Sequence, residues 1–94
     1  MPVAIEMNFK GATLEQYDKI LELMDLTSGN IPPGAIFHWA AKTDDGIRVV
    51  DVWESRDVFD RFSAEQIGPY SQQVGITEPP ETTYRNVHNH LPHS

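Results

Sequence analysis

The chain has 94 residues, with seven Lys and Arg against fourteen Asp and Glu for a formal charge of −7, and no cysteine. That length holds one core, so a single domain over residues 1–94 is expected, and so small a core favours association as a way to bury more surface. The acidic balance and the lack of any Lys/Arg cluster speak against nucleic acid and anionic membrane as partners, and without cysteine there is no disulfide framework, thiol chemistry, iron–sulfur cluster or thiolate zinc site.

The apolar runs are too short to cross a membrane, and the opening Met1-Pro2-Val3-Ala4 has neither the basic nor the apolar region of a signal peptide, so a cytoplasmic protein is expected. Val3, Ile5, Met7 and Phe9 alternate with Ala4, Glu6 and Asn8, the period-two pattern of a first strand. Thr13-Leu14-Glu15-Gln16 has the form of a capping box, and Leu14, Tyr17, Ile20, Leu21 and Met24 follow at helical spacing. Ser28-Gly29-Asn30 is the expected end of that helix.

After the stiff Pro32-Pro33-Gly34, residues 35–42 and 47–54 read as two strands of a hairpin turning at Asp44-Asp45-Gly46. Ser55 is placed to cap a second helix whose buried stripe is Val58, Phe59, Phe62 and Ile67, with Gly68-Pro69 expected to break it. A short helical piece over 70–74 closes at Gly75, and Glu78-Pro79-Pro80-Glu81 leads to a last strand over 82–90. The order β-α-β-β-α-β is the ferredoxin-like α+β arrangement, with a four-stranded antiparallel sheet covered on one face by both helices.

The covered face is expected to carry Val3, Ile5, Met7 and Phe9 with Phe37, Trp39, Ala41, Val50 and Val52. The opposite face then holds Ala4, Glu6, Asn8, Ile36, His38, Ala40, Val49, Asp51 and Trp53. That set is too apolar to stay wet and too polar for a core, so two chains are expected to close these faces over a chamber as a homodimer. Any register pairing an even residue of the second strand with an odd one of the third puts His38 beside Asp51. Since the first strand neighbours the third, Glu6 or Asn8 would adjoin them.

Over almost its whole length the chain resembles the dimeric α+β barrel superfamily, and within it the small proteins of the antibiotic biosynthesis monooxygenase type. The resemblance rests on the element order and on Val49-Val50-Asp51-Val52-Trp53-Glu54-Ser55-Arg56-Asp57-Val58-Phe59, which looks like the third strand running into the second helix of that group. It implies a dimeric barrel and an activity among cofactor-free oxygenases of electron-rich phenols, haem-degrading enzymes and lactone isomerases. The haem-degrading pattern of Asn, Trp and His is matched at Asn8 and broken at Phe62 and at Pro69-Tyr70. For the phenol-oxidising branch the resemblance implies Asn, Trp, Tyr and Arg around the substrate, and Asn8, Trp53 and Tyr70 are of the right types.

The candidate site therefore has His38, Asp51 and Asn8 as catalytic groups, with Trp53, Glu6, Ile36, Val49, Phe62, Tyr70 and His88 as its substrate-binding walls. A His held in one tautomer by a carboxylate is a base near neutral pH, and an amide suits an oxygen where negative charge develops. The competing reading makes His38–Asp51 a structural pair, or ties Asp51 to Arg48 or Arg85, because a carboxylate in an apolar strand needs a partner. Glu6 also fits a surface carboxylate, Tyr70 a cover for the sheet edge, and Trp53 plain packing.

His88 and His90 share a strand face at a spacing a metal can use, against which stands a frayed or dimer-clasping terminus that includes His93. No metal is assigned. The glycines sit singly in turns, with no phosphate-binding loop, so no cofactor is expected. The function expected is a cofactor-free monooxygenase acting on an aromatic or polyketide-like molecule through the His–Asp pair. An isomerase or cyclase using the same pair, and a non-catalytic ligand-binding or structural dimer, are the alternatives.

Overall fold

The first strand forms where the sequence alternates: Val3, Ile5 and Met7 are buried and the residues between them are half-buried. The computed structural model describes residues 1–27 and 29–91. The elements are β1 (Val3–Lys10), α1 (Leu14–Leu23), β2 (Ala35–Lys42), β3 (Gly46–Trp53), α2 (Arg56–Phe62), a π-helical turn (Ser63–Ile67), α3 (Gly68–Gln73) and β4 (Glu81–Asn86). The strands form one four-stranded antiparallel sheet in the order β2-β3-β1-β4, the ferredoxin-like α+β arrangement.

Local signals fix most boundaries. Thr13 and Gln16 make a reciprocal capping box, with Gln16 N–H on the Thr13 hydroxyl at 3.1 Å and Thr13 N–H on the Gln16 side-chain oxygen at 2.9 Å. Ser55 caps α2 by accepting from Val58 N–H at 3.2 Å. The helix α1 stops at Leu23, earlier than expected, because Met24 caps it and Asp25 turns to a positive φ of 60°, a region Asp tolerates better than most residues. Of the expected stop, Ser28 lies outside the described residues. At the hairpin, β1 and β3 approach so closely that a Cβ on Gly46 would lie 2.0 Å from the Phe9 carbonyl oxygen. Only glycine fits there.

Gly68-Pro69 does not break the second helix. Residues 56–73 run on through the π turn, in which Gly68 N–H donates to Ser63 C=O, and Pro69, which has no N–H to offer, falls in the first turn of α3. Gly75, at φ 96°, ends α3 as expected, with Ile76 N–H on Ser71 C=O at 2.8 Å. The last strand is shorter than expected, because β1 begins at Val3 and its partner on β4 is Asn86. His88 and His90 lie beyond the sheet.

The face assignment of β2 and β3 is corrected. In the register, Val3 pairs with Trp53, Ile5 with Asp51, Met7 with Val49 and Phe9 with Ile47, so those odd residues of β3 lie on the helix-covered face. His38 pairs with Asp51 and Ala40 with Val49, which brings them to the same face. Phe37, Trp39, Ala41, Val50 and Val52 are on the open face with Glu6 and Asn8. Both residue sets of β3 are apolar enough for a core, and the larger pair, Ile47 and Trp53, takes the interior while Arg48 needs solvent. A bulge at Ile36, between Ala35 opposite Trp53 and Phe37 opposite Val52, lets β2 change parity.

The core is Val3, Ile5, Met7, Phe9, Ala12, Ile47, Val49, Trp53 and Phe59. Trp53 stacks edge-on against Phe59, centroids 5.6 Å apart, and tilted on Phe62 at 5.0 Å, which ties α2 to the sheet. No residue of α1 is fully buried. Its apolar stripe faces a space instead of a packed layer. Among the described residues no helix is long and apolar enough to cross a membrane.

Candidate functional site

That space is a cavity of about 150 Å³ between α1, α3 and the helix-facing side of the sheet. Met7, Phe9, Ile47, Val49 and Trp53 form its floor, Tyr17, Ile20, Leu21 and Met24 its roof, and Phe62, Ile67, Ser71 and Ile76 one wall. Ile31, exposed in the loop before β2, lines it as well. An apolar cavity of roughly this size accepts a single aromatic ring.

One wall is polar. His38 and Asp51 face each other across the β2–β3 ladder, with His38 Nδ1 2.5 Å from Asp51 Oδ1. Trp53 Nε1–H donates to Asp51 Oδ2 at 3.0 Å, so each carboxylate oxygen has a donor in front of it. The Asp51 side chain is 7% exposed and that of His38 is 35% exposed, so the pair runs from the interior to the cavity edge. His38 Nε2 meets the Tyr17 hydroxyl at 2.5 Å. Burial, and after it the negative charges of Asp51 and Asp18, push the Tyr17 phenol above its ordinary value. The result is a hydrogen-bonded row, Tyr17–His38–Asp51–Trp53, along a largely apolar chamber.

Of the expected residues, the structure brings together His38, Asp51, Trp53, Val49 and Phe62. Asn8 and Glu6 do not join them. They lie on the open face, where Asn8 donates to Glu6 Oε2 at 3.2 Å and accepts from Arg48 Nε–H at 2.9 Å, and Glu6 sits 3.6 Å from Arg85. A one-residue step along a strand reverses the side, so β1 cannot offer Met7 and Asn8 to one chamber. Ile36 is taken up by the bulge and lines no part of the cavity. His88, exposed beyond β4, does not reach it either.

Tyr70 is displaced by the π turn. In a regular helix Phe62 would share its face with residues three, four and seven or eight further on. The extra residue in the π turn brings Ile67, five residues after Phe62, into line with it, and then Ser71, so Tyr70 points elsewhere. Ser71 is buried there, and its hydroxyl has no hydrogen-bond partner among the described residues.

In the sequence Tyr17 is legible only as part of the apolar stripe of α1. Its signal is that this stripe carries a hydroxyl on the side that turns towards the sheet. Among the described residues no three His, Cys, Asp or Glu side chains are grouped to hold a metal ion, and His88 and His90 gain no such company.

The fold is shared with solved structures that include oxygenases and a protein described as a putative antibiotic biosynthesis monooxygenase from Deinococcus radiodurans. The structure of Rv0793 from Mycobacterium tuberculosis is similar with a TM-score of 0.63 and 20% identity, covering 97% of this chain and 99% of that one. A mutant of SnoaB, a cofactor-independent oxygenase from Streptomyces nogalater, matches at a TM-score of 0.58 and 18% identity, over 98% of this chain and 96% of that one. The monooxygenase from the gene ActVA-Orf6 of Streptomyces coelicolor, in complex with nanaomycin D, matches at 0.55 and 23% identity, over 99% and 92%. No family model and no curated protein sequence matches the chain. At these identities the likeness is one of fold.

Proposed function

We propose that the chain is a small-molecule enzyme in which the cavity under α1 holds an aromatic molecule and the His38–Asp51 pair accepts its proton. The observation that carries this reading is a His and a buried carboxylate 2.5 Å apart at the edge of a largely apolar chamber. An imidazole oriented by a carboxylate takes a proton, and its cation is stabilised by the same carboxylate. Trp53 and Phe62 supply flat walls, and the chamber's volume suits a compact phenol or enol.

A cofactor-free monooxygenase is the favoured reaction, supported by the fold shared with an oxygenase described as cofactor-independent. Loss of the proton leaves an electron-rich anion that reacts with dioxygen. A ring C–H of the phenol becomes C=O, giving a quinone, and the second oxygen atom leaves as water with two hydrogens, one from that carbon and one from the phenol oxygen. Asn8 and Glu6 have no part in this reading, because they lie on the other side of the sheet.

The open face supports the homodimer, though with other residues than expected. Phe37 and Trp39 are 45% and 41% exposed there, beside Val50 and Val52 and bordered by the polar row Arg48–Asn8–Glu6–Arg85. A second copy laid on it face to face closes the barrel and leaves each cavity within its own chain.

The test is oxygen uptake by the purified protein with single-ring phenols and dihydroxybenzenes, the size the cavity admits. Uptake that is lost in His38→Ala and Asp51→Asn supports the monooxygenase. Conversion without oxygen assigns the isomerase or cyclase, and no conversion of any member, with unaltered binding in both variants, leaves a non-catalytic binding protein.

A further inference from the structure

Both ring nitrogens of His38 are already engaged, Nδ1 by Asp51 Oδ1 and Nε2 by the Tyr17 hydroxyl, each at 2.5 Å. Neither ring nitrogen is therefore free to accept a proton directly from an occupant of the cavity. Tyr17 lines that cavity, and its ring lies parallel to the His38 ring, planes 5° apart and centroids 5.9 Å apart. The carboxylate of Asp51 calls for Nδ1–H, which makes Nε2 the acceptor and the Tyr17 O–H its donor. The phenol oxygen of Tyr17 then has a lone pair left for a donor inside the chamber.

We propose that Tyr17 is the catalytic residue that touches the substrate, and that Tyr17, His38 and Asp51 form a proton relay for a small phenol or enol. This rests on the function proposed above. The O–H bond of the substrate breaks and its proton passes to Tyr17 Oη, while the proton of Tyr17 passes to His38 Nε2. The substrate becomes an oxyanion, His38 becomes an imidazolium paired with Asp51, and Tyr17 is neutral before and after. Trp53 Nε1–H, 3.0 Å from Asp51 Oδ2, is a positioning group that holds the carboxylate edge towards His38.

The probe is 4-nitrophenol, whose anion absorbs in the visible, titrated with pH on the wild-type protein and on Tyr17→Phe and His38→Gln. In the wild type, the ratio of anion to phenol for the bound probe exceeds that of the free probe at the same pH by about tenfold, one unit of displacement. Tyr17→Phe keeps the ring and binds the probe, but the displacement disappears. His38→Gln, which leaves Tyr17 in place and removes the acceptor behind it, loses it too and serves as the test should Tyr17→Phe not fold. If either variant ionises the bound probe as the wild type does, the relay is wrong while the cavity stands as a phenol site. If the wild type binds no 4-nitrophenol, the phenol reading of the cavity fails, and the relay with it.

Discussion

His38 on β2 and Asp51 on β3 occupy one rung of the sheet and are joined Nδ1 to Oδ1 at 2.5 Å, with the Asp51 side chain almost fully enclosed. A buried carboxylate is costly unless its oxygens are satisfied, and here Trp53 satisfies the second one. Asp51→Asn keeps the shape but turns an amide N–H₂ towards one of two donors. The expected loss is about 2 kcal/mol, since one buried donor is left without an acceptor. Urea unfolding of the variant against wild type measures it, and an unchanged midpoint contradicts the hydrogen-bond pattern.

Ser71 makes the opposite case. Its hydroxyl is buried on a cavity wall without a partner among the described residues, and its backbone is helical. Ser71→Ala removes an unsatisfied polar atom and adds helix propensity, so the variant is expected to gain about 1 kcal/mol. A rise of a few degrees in Tm in a thermal scan is the predicted result. A fall would mean that the hydroxyl is satisfied by something bound.

Tyr17 and Tyr84 both have phenols raised above 10.0, Tyr17 by burial first and Tyr84 by burial and then its bond to Asp60. A group whose folded value exceeds its unfolded one contributes stability that is present in full below the unfolded value and is lost as pH rises through the folded value. The window lies above about pH 10. Tyr17→Phe removes one such group, so its stability declines less steeply with pH there than that of the wild type. Chemical unfolding at several pH values in that range checks the slope.

Much of this was legible in the sequence because it rests on local rules. The capping box at Thr13, the cap at Ser55 and the Asp44-Asp45-Gly46 hairpin each announce themselves in a few residues, and even-to-odd pairing across that hairpin was enough to join His38 to Asp51. The side of the sheet they occupy was not legible. β3 is apolar on both faces, and the charge of Asp51 argued against the interior while Trp53 and Ile47 argued for it; Arg48, in step with Val50 and Val52, was the signal that those residues face out. The π turn has no propensity signature, so the exchange of Tyr70 for Ser71 could not be read. Gly68-Pro69 marked the place but suggested a break.

The open face of the sheet predicts its own occupant. Trp39, at the centre of β2, is 41% exposed beside Phe37 and Val50, an apolar patch of the kind that self-association covers. Trp39→Glu places a charge against its own symmetry mate in a face-to-face dimer. Light scattering is expected to give twice the chain mass for the wild type and the chain mass for the variant. A wild-type monomer would remove the dimer from the account.

The most direct test of the site itself is a crystal structure of the protein soaked with 4-nitrophenol. The expected density is a single ring between α1 and the sheet, against Trp53 and Phe62, with the phenol oxygen within hydrogen-bonding distance of Tyr17 Oη. A probe bound on the open face against Trp39 and Val50, or a chamber closed by its own side chains with no room for the ring, would contradict the site.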